Sequence, residues 1–142
     1  MNTFLLWIHP IIQAAAAVIG LWAMWQGIIR LQMTLFKKKL LFPWKNHVKL
    51  GKWALWLWTM GALGFYTTHE VFGYTHITGL HAQLAWPIIA LSLFGLVSGH
   101  IMDKTKKKRT ILPLAHGISN VILLVLVLLE CWTGIELCFQ FL

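Results

Sequence analysis

Seven histidines stand out in a chain of 142 residues that is 58% hydrophobic. Imidazole ligates metals and changes charge near neutral pH. Ionisable groups inside apolar segments are costly, which makes them functional candidates by default. Four of the seven sit near the ends of long apolar segments: His9, His47, His81 and His116. His100 stands at the end of another such stretch, and His69 and His76 fall in a connecting region. Imidazoles at fixed depths in a membrane suit metal or haem ligation better than nucleophilic chemistry.

The elements that must position them are four apolar segments, at residues 4–33, 47–67, 78–102 and 112–141. A spanning helix needs about 20 residues at about 1.5 Å each, and all four meet that length. Only 11% of the residues are charged and mean hydropathy is +0.71. Soluble domains carry about 25% charged residues, so a water-soluble enzyme or a disordered tail is excluded as the main reading. Residues 1–142 are expected to form one membrane domain. The expected fold class is all-α, an integral membrane four-helix bundle with both termini on the non-cytoplasmic side.

That orientation comes from the charges. All 12 Lys and Arg fall in residues 30–52 and 104–109, the first-to-second and third-to-fourth connections. The positive-inside rule assigns both windows to the cytoplasm. A net charge of +8 is thereby explained without nucleic acid, and cations at helix ends also meet anionic lipid head groups. Trp7 and Trp132 are expected at the outer boundary and Trp44 and Trp53 at the inner one, as interfacial belts. Trp22 and Trp56 are expected to face lipid or fill the core. No basic stretch precedes the first apolar run, so it is expected to be retained rather than cleaved as a signal peptide. Cys131 and Cys138 are seven residues apart on one helix, about 10 Å of rise, too far for a disulfide. They read as apolar packing.

In a bundle of sequential antiparallel helices the first and third are diagonal, and so are the second and fourth. His9 and His81 then face each other at the outer level, and His47 and His116 at the inner one. Two imidazoles converging from opposite helices suit the two axial positions of a haem iron. The expected cofactors are two noncovalent haems b, with quinone as an additional candidate. Small residues near the ligands, Ala14 to Ala17, Gly20, Gly51, Gly61 and Gly64, leave room for flat cofactors. Gly95 and Gly99 form a G-x-x-x-G that fits close helix packing or a porphyrin face. Plainer roles exist for each histidine. His9 caps a helix before Pro10 in its first turn, His47 is interfacial, and His69 and His76 are solvated. His100 neighbours the inner haem, serves a quinol site or lies at the interface, and His100 and His76 are the alternatives to any one of the four ligands.

Other His chemistry fits less well. A structural zinc site wants four clustered ligands, whereas these histidines are split between two faces. A metal transporter favours acidic or His residues near mid-membrane, and Glu130 and Glu136 lie toward the outer half of the fourth segment. No Cys-x-x-Cys-His motif, nucleophile–base triad, P-loop or nucleotide fingerprint is present.

The chain resembles the four-helix core of the cytochrome b561 family. The matching residues are His9-Pro10 followed by small apolar residues, Leu80-His81, His116-Gly117, and the basic segment Lys45-Asn46-His47-Val48-Lys49. Val48 stands where the family has Gly. The resemblance covers nearly the whole chain through short motifs and is greatest to small prokaryotic members. It implies two haems, one on His9 and His81 and one on His47 and His116, and electron transfer across a membrane from ascorbate or a similar donor. Lys45 and Lys49 are candidates for holding an anionic donor, or serve topology alone.

The expectation is a transmembrane oxidoreductase, a dihaem b-type cytochrome passing single electrons between a quinol or small-molecule reductant and an acceptor across the bilayer. Its expected setting is the prokaryotic inner membrane with the basic loops cytoplasmic. Expected partners are membrane lipid, the reductant and a redox protein. A homodimer is compatible with the sequence, and nucleic acid is not expected. The alternatives are a haem-bearing anchor subunit of a larger respiratory oxidoreductase complex, a His-based metal transporter, and a noncatalytic assembly factor.

Overall fold

The computed structural model describes residues 3–73 and 79–141, and His76 lies outside them. The described residues are helical, with no strand among them: α1 (Thr3–Leu35), α2 (Trp44–Met60), α3 (Leu63–Phe72), α4 (Gly79–Lys104) and α5 (Ile111–Phe141). Three helices are long and apolar enough to cross a membrane, over Leu6–Leu35, Gly79–Lys104 and Ile111–Gln140. Their outer surfaces are apolar, with Val18, Trp22, Trp25, Trp86 and Val125 exposed. Apolar surface on that scale is not tolerated in water, and it points to a membrane-embedded protein.

The local chemistry sets the helix boundaries. The alanines at 14–17 are the strongest helix formers and lie inside α1. α1 stops before Lys37, whose φ of 51° is left-handed. Pro43 precedes α2 and biases Phe42 away from helix. Pro10 lies inside α1 rather than in its first turn, so one intrahelical hydrogen bond is lost there. Between α4 and α5 the basic run Lys106 to Arg109 is irregular, as expected of self-repelling charge.

The segment expected as one helix over residues 47–67 is instead divided into α2 and α3. At the division the bonds shorten to the 3₁₀ pattern, with Gly61 N–H donating to Trp58 and Ala62 N–H to Thr59. Gly61 and Ala62 keep right-handed helical dihedrals, so the chain tightens there rather than unfolds. There Gln13 of α1 donates from Nε2 to the Leu57 carbonyl at 3.0 Å, an oxygen that also accepts from Gly61 N–H at 3.1 Å. A Cβ on Gly61 would lie 3.1 Å from that same Nε2 and 2.8 Å from the Trp58 carbonyl. Only glycine fits beneath the intruding amide.

The principal contacts are α1 with α2, α4 with α5, α2 with α4, and α1 with α5. These close a ring in which α1 is opposite α4 and α2 is opposite α5, the diagonals expected from antiparallel connectivity. The interior is lined by small residues, Ala16, Ala17, Ala54, Ser92 and Ser98, around Leu55, Trp58, Ile88, Leu123 and Val127. Small side chains let backbones approach closely where no hydrophobic effect separates helix from lipid.

Candidate functional site

Two histidine pairs face each other across the two diagonals. His9 of α1 and His81 of α4 have ring centroids 6.4 Å apart, with planes at 82°. His47 of α2 and His116 of α5 are 6.5 Å apart, with planes at 80°. All four are thus brought together in the expected combination. The second pair lies at the end of the bundle carrying the lysines, called here the basic end, and the first at the opposite end.

Hydrogen bonds fix the tautomer of three rings. His47 Nδ1 lies 2.9 Å from the Ala23 carbonyl. A carbonyl only accepts, so Nδ1 carries the proton. His116 Nδ1 lies 2.8 Å from Ser98 Oγ, whose own proton goes to the Phe94 carbonyl at 2.6 Å. Ser98 therefore accepts from His116. His81 Nδ1 lies 3.0 Å from Thr133 Oγ1, and that hydroxyl donates to the Glu130 carbonyl at 3.1 Å. The same assignment follows. In each case Nε2 keeps a free lone pair, and a protein group anchors the other nitrogen. This is the usual arrangement around a ligating imidazole.

Each ring is seated against a glycine of the neighbouring helix. A Cβ would lie 2.9 Å from His9 Cε1 at Gly64, 3.1 Å from His47 Cε1 at Gly27, 3.2 Å from His81 Cε1 at Gly134, and 3.4 Å from His116 Cε1 at Gly99. The pattern is reciprocal. His9 and Gly27 share α1, and His81 and Gly99 share α4, each pair 18 residues apart. Eighteen residues are five helical turns, about 27 Å along one face. One helix thus offers a ring at one level and a seat at the other.

A cavity of about 720 Å³ surrounds the basic-end pair, and one of about 290 Å³ surrounds the other. Ligand pockets run about 300–1,000 Å³ and are mostly apolar. The first is also lined by His100, Arg30, Lys52, Asp103 and Arg109, and the second by Glu130, Cys131 and Cys138. Glu130 Oε1 is 3.5 Å from His81 Nδ1, and its Oε2 is buried without a partner. Lys52 reaches Asp103 at 3.3 Å and ties α2 to α4 at the basic end. Lys45 and Lys49 are exposed and do not line the cavity. Lys45 instead lies over the Trp44 ring. His69 is an exposed neighbour of Glu70.

The donor set tests the haem expectation. Among the described residues no three or more His, Cys, Asp or Glu converge as a metal-binding group, so a four-ligand zinc site is not built. Two imidazoles with nitrogens about 2 Å from a metal between them place their centroids roughly 6.3 Å apart. Both pairs match this spacing and border mostly apolar cavities. They fit a bis-imidazole iron porphyrin.

Several residues of these sites were not singled out by the sequence analysis. Ser98 and Thr133 are ordinary helix residues until the register between helices is known. The lining role of Arg30, Lys52 and Arg109 was hidden within the topological charge. The His-to-Gly spacing of 18 was present in the sequence and is the signal that marks Gly27 and Gly99.

Comparison of the chain with protein-family models, with curated proteins and with solved structures finds no match.

Proposed function

We propose that this chain is a b-type cytochrome that carries single electrons across a membrane. One observation carries the reading. Two histidine pairs, on the two diagonals of one bundle, have the separation that axial ligation needs, and three of the four rings have Nδ1 anchored. The resemblance to the cytochrome b561 core agrees with it. Two noncovalent haems would supply reversible one-electron chemistry at iron. His9 and His81 would hold one, and His47 and His116 the other. Ala23, Ser98 and Thr133 orient the rings, and the glycine seats hold them in register. The cavity walls are mostly apolar, with charged residues at the basic end.

In this reading α2 and α3 together form the second of four spans, with both termini on the outer side. The basic connections lie in the cytoplasm of a prokaryotic cell. The donor is a quinol or a small reductant, and a redox protein receives the electron at the other face.

A second reading is supported by how little chain lies outside the helices. Residues 36–43 and 105–110 are the connections at the basic end. They leave little room for a substrate site, as suits the haem-bearing anchor of a larger oxidoreductase. Haem quantification on the purified chain tests the cofactor assignment. Stoichiometric partners in the purified material would favour the anchor.

A further inference from the structure

The chain has nine tryptophans. Eight are between 42% and 68% exposed, and Trp58 alone is buried, at 7%. Among the described residues, Trp58 is also the one that lines both cavities. It lies 11 residues beyond His47 and 6 before Gly64, the seat of His9. Along a helix these intervals are about 16 Å and about 9 Å, so the indole stands between the two levels. Its ring fits because position 20 is glycine, where a Cβ would overlap the ring edge. Its N–H is buried and has no hydrogen-bond partner among the described residues. An unpaired buried donor is unfavourable, and a phenyl or aliphatic side chain would avoid it. What the site gains from tryptophan is therefore the breadth of the ring, not its N–H.

We propose that Trp58 is the bridge between the two sites, and that single electrons cross the middle of the bundle through its packed ring. This rests on the dihaem reading. Electronic coupling falls steeply across empty space, and a void also forfeits the contacts of its lining. A broad ring in contact with both cavities removes that gap. One electron is lost at one site and one is gained at the other. No bond forms or breaks, and the indole keeps its electrons and its proton. The outside donor and acceptor are those of the proposed function.

The test uses the full chain loaded with haem in phosphatidylethanolamine–phosphatidylglycerol vesicles. Ferricyanide is trapped inside and dithionite added outside. Haem content and both midpoint potentials are measured first for wild type, Trp58→Phe, Trp58→Leu and Gly20→Ala. Trp58→Leu should keep two haems and both midpoints while ferricyanide reduction slows at least about tenfold. Trp58→Phe should retain most of the rate. Gly20→Ala, which displaces the ring without removing it, should fall between them. A wild-type rate in Trp58→Leu with both haems in place would overturn the bridge. So would slowing in Phe and Leu alike that tracks haem loss, since Trp58 would then be packing alone. A wild-type chain that binds no haem would instead remove the proposed function, and the bridge with it.

Discussion

The imidazole of His116 donates from Nδ1 to the hydroxyl of Ser98 at 2.8 Å, while Ser98 passes its own proton to the Phe94 carbonyl. One serine on α4 thereby fixes the tautomer of His116 on α5, a proposed haem ligand. Ser98→Ala leaves a buried N–H unpaired and frees the ring to turn. Loss of such a partner lowers metal affinity about 10–100-fold. Haem transfer from the chain to apomyoglobin should show that weakening for the basic-end haem only. Equal loss from both sites would contradict it.

The pairing itself makes a sharper prediction. His9→Ala and His81→Ala should each remove the same haem, and His47→Ala and His116→Ala the other. Each variant retains one haem per chain, and the two classes should differ in their spectra. If all four substitutions bleach a single haem, the diagonal assignment fails.

The glycine seats predict a graded series. Gly64→Ala brings a methyl to 2.9 Å from His9 Cε1, and should displace that ligand and release its haem. Gly99→Ala places it at 3.4 Å from His116 Cε1, an ordinary contact, and should retain haem. Gly51 has nothing within 4 Å of a Cβ, so Gly51→Ala should be silent or slightly stabilising through helix propensity. Haem retention on heating ranks the three, and a reversed order would sink the seat argument.

How much of this was legible in the sequence depended on distance along the chain. The facing of His9 with His81 and of His47 with His116 followed from apolar segments, two basic windows and antiparallel connectivity, and required no side-chain detail. The break in the second apolar segment did not follow. It coincides with a contact from Gln13 to Leu57 across 44 residues, beside Gly61. Trp56 and Trp58 are equivalent in composition, yet Trp56 is 55% exposed and Trp58 is buried. The rotation of α2 about its axis decides between them, and tertiary packing sets that rotation. Lys45 and Lys49 flank His47 in the sequence, but of the lysines on α2 it is Lys52, about two turns beyond Lys45, that lines the cavity.

Topology offers an independent check. Single cysteines at Lys38 and Lys107, in a background without Cys131 and Cys138, should react with a membrane-impermeant maleimide only in inverted vesicles. A cysteine beside Met1 should react only in intact spheroplasts. Labelling of both basic connections from outside would reverse the orientation and the depth assignment of both pairs.

The most direct measurement is the reduced-minus-oxidised spectrum of the chain purified alone, with its haem counted. Two b-type haems per chain, with the α-band of low-spin bis-imidazole iron, is the result this account predicts. A stable, folded and colourless protein from haem-replete cells would contradict it.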